Sequence, residues 1–104
     1  MFVYNVTTHV EPSIEQQWLQ WMQNEHLPEM LQTGHFSQAK LYRVVTEQDQ
    51  GGISYATQYS CESRKNYTDY LKQNATQLQQ QAHERFGNKI LSFRTELEQI
   101  IRLA

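Results

Sequence analysis

The sequence is poor in the residues that would staple, break or charge a chain. One cysteine in 104 residues, Cys61, excludes an internal disulfide and fits a reducing compartment. No run approaches the roughly 18 apolar residues that a membrane-crossing helix needs, so no membrane is expected. The start, Met1-Phe2-Val3-Tyr4-Asn5, has no basic segment and alternates at once, unlike a secretory leader; the expected location is cytoplasmic. Nine basic against eleven acidic residues, spread without blocks, leave a net charge of -2. That lacks the basic stripe from which nucleic-acid affinity arises, so no nucleic acid is expected as a partner. The four histidines, His9, His26, His35 and His83, show no ligand spacing, and the carboxylates are scattered; neither a metal nor a cofactor is expected.

What the chain does have is rings. Six Tyr, four Phe and two Trp make 12% aromatic residues, too much large apolar surface for a disordered chain. Residues 1–104 are expected to form one domain, small enough that oligomerisation would help its core. Fifteen glutamines suit helix faces turned to water.

Residues 2–10 alternate as a strand, with Phe2, Tyr4, Val6, Thr8 and Val10 on the core side and Val3, Asn5, Thr7 and His9 on the other. Ser13 with Gln16 forms a capping box in pattern, opening a helix over about 13–26; Pro28 predicts a kink and Gly34 the stop. Strands follow near 36–46 and 53–61, joined by a hairpin turn at Gln48–Gly52. Ser63 opens a helix holding Tyr67, Tyr70 and Leu71, broken at Asn74-Ala75-Thr76; a second piece with Leu78, Ala82 and Phe86 closes at Gly87. The stretch Lys89 to Leu103 fits either a strand or a helix by spacing, and the β-branched and aromatic residues of its first half favour a strand over 89–99.

The order β-α-β-β-α-β predicts an α+β, ferredoxin-like sandwich: a four-stranded antiparallel sheet with its helices on one face. The other face, expected to carry Val3, Asn5, Leu41, Arg43, Leu91, Arg94 and Glu96, is too apolar to stay wet. A homodimer through that face would cover it.

The segments Met1–Thr7, Trp18-Leu19-Gln20-Trp21-Met22 with Glu25-His26-Leu27-Pro28-Glu29, Gly52–Tyr59, Arg85-Phe86-Gly87 and Phe93-Arg94-Thr95 resemble an uncharacterised bacterial family, a domain of unknown function of about this length. The resemblance covers nearly the whole chain. Its layout is similar to the dimeric α/β-barrel superfamily, in which two ferredoxin-like sheets face each other. That superfamily includes monooxygenases, isomerases, decarboxylase-like enzymes, haem proteins and modules without known activity, so the resemblance implies a fold and not a function.

In several barrel families a His-bearing end of the first helix borders the ligand cavity. By that resemblance His26 is a candidate general base or hydrogen-bond donor; its structural alternative is to cap a carbonyl freed by Pro28. Trp21 is either packing or part of a ligand cage. The haem-degrading members imply Asn5 on the first strand and His83 on the last helix as counterparts, but their third element, a Trp, has no match here, because both Trp residues lie on the first helix. Asn5, Arg43 and Arg94, with Glu96, are expected together on the open sheet face, where the arginines either pair with acids across a dimer or bind an anionic ligand. Cys61 is a small buried hydrophobe or, beside the helix start at Ser63, a nucleophile.

Two functions therefore stand open. One is a non-catalytic dimeric module binding a small molecule or a protein. The other is a cofactor-independent enzyme acting on a small aromatic or carbonyl compound. A cavity of at least ~300 Å³ between helix and sheet, with His26 or Asn5 converging on it, favours the enzyme, and a filled core the module.

Overall fold

The computed structural model describes residues 1–46 and 52–104. Strands β1 (Phe2–Val10), β2 (Gln38–Arg43), β3 (Ile53–Cys61) and β4 (Ile90–Glu98) form one antiparallel sheet in the order β2-β3-β1-β4. Helices α1 (Glu15–Trp21), α2 (Leu27–Gln32), α3 (Arg64–Gln73) and α4 (Ala75–Phe86) cover one face. This is the ferredoxin-like arrangement expected from the sequence. The segment over which spacing was ambiguous is strand β4. No described helix is long and apolar enough to cross a membrane.

Local chemistry explains most boundaries and corrects two. The capping box at Ser13 does not form. Pro12 instead opens a 3-10 turn, Pro12–Ile14, behind an extended Glu11. Proline suits a first helical position, since its φ is already set and its missing N–H would be unpaired there anyway. The disruption expected at Pro28 falls one turn earlier, as a π-helical turn over Met22–His26. Pro28 offers no N–H to the carbonyl of Asn24 and its ring crowds it, so the helix widens before the proline and resumes as α2. Asn74 separates α3 from α4, and Gly87, at φ +57, ends α4, both as expected.

Strands β2 and β3 pair from Gln38 with Ser60 to Arg43 with Tyr55. Strand β2 is shorter than the expected 36–46. Of the expected turn, residues 48–51 lie outside the described residues. Gly52 has φ +85, and a Cβ there would stand 2.6 Å from the Val10 carbonyl oxygen, so only glycine fits.

Two aromatic-rich clusters make up the core. One gathers Phe2, Tyr4, Phe36, Tyr59, Tyr67 and Tyr70 with Met30 and Leu78. The other gathers Val10, Ile14, Trp18, Trp21, Met22, Tyr55 and Phe86. Burying each large ring contributes on the order of 2–3 kcal/mol.

The strand register corrects the expected composition of the open face. Arg94 stands opposite Val6, Glu96 opposite Tyr4, Leu41 opposite Thr57 and Arg43 opposite Tyr55, so all four point to the helix side. Of the expected group Asn5, Arg43, Arg94 and Glu96, only Asn5 faces outward. The reason is parity: side chains alternate along a strand, so Leu91 and Arg94, three apart, cannot share a face. Nor do Arg94 and Glu96 pair; Glu96 meets Arg64 of α3 at 3.2 Å.

Candidate functional site

Along the seam between the two core clusters lies a cavity of about 60 Å³. Tyr4, Met30, Tyr59, Tyr70 and Leu78 wall one side of it, and Trp18, Trp21 and Met22 the other. Its sheet floor carries hydroxyls at inward positions of three strands: Thr8, Thr57 and Ser92. Thr8 and Ser92 satisfy each other, their oxygens 3.0 Å apart. Thr57 is 1% exposed, and its Oγ1 has no hydrogen-bond partner.

His26 reaches the same cavity through the π turn. In a regular α-helix residues 21 and 26 stand about 140° apart around the axis, at roughly 100° per residue. The wider turn brings them into register, and the imidazole stacks on the Trp21 indole with centroids 4.6 Å apart and planes 21° apart. The expected capping role is corrected, for no cap bond forms and Nδ1 is buried without a partner. Burial lowers the pKa of His26 to about 4, so the ring is neutral near pH 7. Glu25 does not orient it; that carboxylate points out, 3.9 Å from Arg85.

Arg94, exposed, stands at the mouth, where its Nε donates to the Tyr4 hydroxyl at 3.0 Å. Gln79 lines the cavity beside it. Burial raises the Tyr4 pKa while Arg94 pulls it down; burial likewise raises those of Tyr59 and Tyr70. Net, all three phenols stay protonated at neutral pH.

Of the candidate ligand-binding residues, the cavity thus brings together Trp21, His26 and Arg94. Arg43 is elsewhere, exposed on the edge strand with its guanidinium 5.8 Å from the Tyr55 ring centre. Asn5, on the open face, donates to Thr7 Oγ1 at 3.2 Å. His83 is exposed on α4. Cys61 is buried and its thiol donates to the Ser63 carbonyl at 3.3 Å; burial raises its pKa, the reverse of an activated nucleophile. Sequence reasoning missed Tyr4, Thr8, Thr57, Gln79 and Ser92 as lining residues. The signal was available for three of them, as hydroxyl side chains at core-facing positions of neighbouring strands. Among the described residues, no cluster of His, Cys, Asp and Glu could hold a metal ion.

A depressed histidine pKa has a sign. The folded state resists protonation that the unfolded chain accepts near pH 6.5, so stability is full above 6.5 and falls as pH drops from there towards 4. Between pH 6.5 and 5 we expect a loss of about 2 kcal/mol. Denaturant titrations across that range should show the slope in the native protein and its absence in His26→Gln.

The model for the domain of unknown function DUF4286 matches residues 1–100. The chain belongs to this family. No curated protein matches it by sequence. In structure, the DUF4286 chain is similar to a dimeric ferredoxin-like protein from an uncultured marine organism, with a TM-score of 0.78, 6% identity and coverage of 98% of this chain and 97% of that one. It is also similar to an ethyl tert-butyl ether d (ethd) family protein from Bacillus halodurans, with a TM-score of 0.67, 15% identity and coverage of 96% and 100%. At such identities these are likenesses of fold, and they agree with the DUF4286 architecture described above.

Proposed function

We propose that the protein is a non-catalytic homodimeric module that binds a small molecule in the seam cavity. The observation that carries this reading is the pair of buried, unpartnered polar atoms, His26 Nδ1 and Thr57 Oγ1, lining one cavity. An unpaired buried polar atom costs about 1–3 kcal/mol, which a ligand supplying the missing hydrogen bonds returns. The volume, about 60 Å³, is well short of what encloses a whole substrate and suits the head group of a ligand whose body stays outside.

Dimerisation through the open sheet face is supported by its composition. Lys40 is the one Lys, Arg, Asp or Glu among the outward positions of the four strands, while Leu91, Phe93 and Leu97 are 59%, 61% and 41% exposed. Beyond β4, Ile100, Ile101 and Leu103 add more exposed apolar surface. That a structural neighbour is described as dimeric points the same way. A bacterial cytoplasm, where Cys61 stays reduced, completes the picture.

An enzymatic reading has one observation in its favour: a neutral imidazole with a free nitrogen facing the cavity is chemically fit to take a proton. Native mass spectrometry of the purified protein tests the proposal. The expected spectrum is a dimer, with a small adduct that His26→Gln loses without losing its fold. A bare monomer at micromolar concentration would refute both parts.

A further inference from the structure

We infer that the ligand is a short oxo- or hydroxycarboxylate, its carboxylate held by Arg94 at the mouth and its second oxygen turned inward to Thr57 and His26. The inference rests on the small-molecule reading above and narrows it to a chemical class.

Charge is the first argument. Arg94 is the one Lys, Arg, Asp or Glu that lines the cavity. Its neighbours there, the phenols and the imidazole, are uncharged at neutral pH. The mouth therefore carries one uncompensated positive charge, open to solvent on one side and backed by apolar walls on the other, where an anion is attracted more strongly than in bulk water. Among the described residues Arg94 forms no ion pair, although Glu96 is two positions along the same strand and spends its charge on Arg64.

Geometry narrows the anion. The Nε bond to Tyr4 fixes the guanidinium plane and leaves its two terminal nitrogens for a planar, two-pronged acceptor. A carboxylate matches that fork. Depth then sets the length of the ligand. About 60 Å³ is a small fraction of the ~300 Å³ or more of a pocket that encloses a whole ligand, so only a few heavy atoms pass the mouth. Inside, the unpaired atoms are a hydroxyl and an imidazole nitrogen, which a hydroxyl or carbonyl oxygen satisfies and a methyl group does not.

The test is a set of NMR titrations with four probes at neutral pH: pyruvate, lactate, propionate and lactamide. Lactate or pyruvate should bind at least tenfold more tightly than lactamide, which keeps the hydroxyl and loses the charge. The same acids should bind several-fold more tightly than propionate, which keeps the charge and loses the second oxygen. Arg94→Met should weaken the acids at least tenfold, and Thr57→Val should erase the preference over propionate. Replacing exposed Arg94 takes one partner from the Tyr4 hydroxyl but removes no core side chain, and a melting curve verifies that the fold survives. Equal binding of lactamide, or acids indifferent to Arg94→Met, would overturn the carboxylate assignment and leave the small-molecule reading standing. No binding by any probe, with no adduct in the native mass spectrum, would overturn both.

Discussion

If the open sheet faces pair as proposed, replacing Phe93 by Asp should leave a 12.4 kDa monomer at micromolar concentration. Phe93 is 61% exposed in the protomer, on the outward face of β4 opposite Thr7 and within the apolar group that includes Val3, Leu91 and Leu97. If two such faces meet, the substitution removes a ring from the centre of the contact and places an unpaired carboxylate there. Losses of this kind amount to about 3 kcal/mol or more, a dissociation constant raised more than ~100-fold. The same change touches little within the protomer, so monomer stability should shift by no more than ~0.5 kcal/mol. Sedimentation velocity decides the matter. A Phe93→Asp protein that still sediments as a dimer would show that the subunits meet elsewhere.

Trp18→Ala should be the most damaging single truncation inside the protomer. Trp18 is 2% exposed, tilts against Tyr55 with ring centres 5.0 Å apart, and walls both its core cluster and the cavity. Removing a fully buried indole costs about 3–5 kcal/mol, a large part of the roughly 5–15 kcal/mol that holds a domain together. For a chain of this size each kcal/mol moves the melting temperature by about 4 °C or more, so a fall of at least ~12 °C is expected. Trp18→Phe, which keeps most of the apolar area, should lose less than half as much. Both melts must be run at one protein concentration, since the proposed dimer would contribute to apparent stability. A fall of only a few degrees for Trp18→Ala would mean that the seam collapses to fill the space.

Apart from β4, whose spacing also fits a helix, the strands and helices are legible because each carries its period openly. Phe2, Tyr4, Val6, Thr8 and Val10 alternate with Val3, Asn5, Thr7 and His9; the structure buries the first set, with Val6 half-buried beside the cavity, and leaves the second half-exposed. The relative faces of the strands were harder. In β2 the pairs Leu41 with Arg43 and Lys40 with Tyr42 are each half apolar, so composition does not say which turns inward; only the register against Tyr55 and Thr57 does. That is why the sequence does not decide the side of Arg43, whereas strand parity alone puts Arg94 on the face opposite Leu91. The π turn was invisible for a different reason. One inserted residue rotates everything after it by about 100°, while an apolar stripe that wide tolerates the slip. His26 could be suspected from its neighbours, but its stacking on Trp21 is a property of the wider turn alone.

That stacking makes the protein its own indicator. Both indoles sit in the same core cluster, on one side of the cavity, and the tyrosine-rich cluster on the other side contains none. Tryptophan emission therefore reports on one half of the interior. Protonated imidazole quenches a touching indole more than the neutral ring does, so lowering the pH towards 4 should dim Trp21 as His26 titrates. Any molecule that settles between His26 and Thr57 changes the same signal. The protonation of one buried side chain can be followed in a cuvette, with no label added.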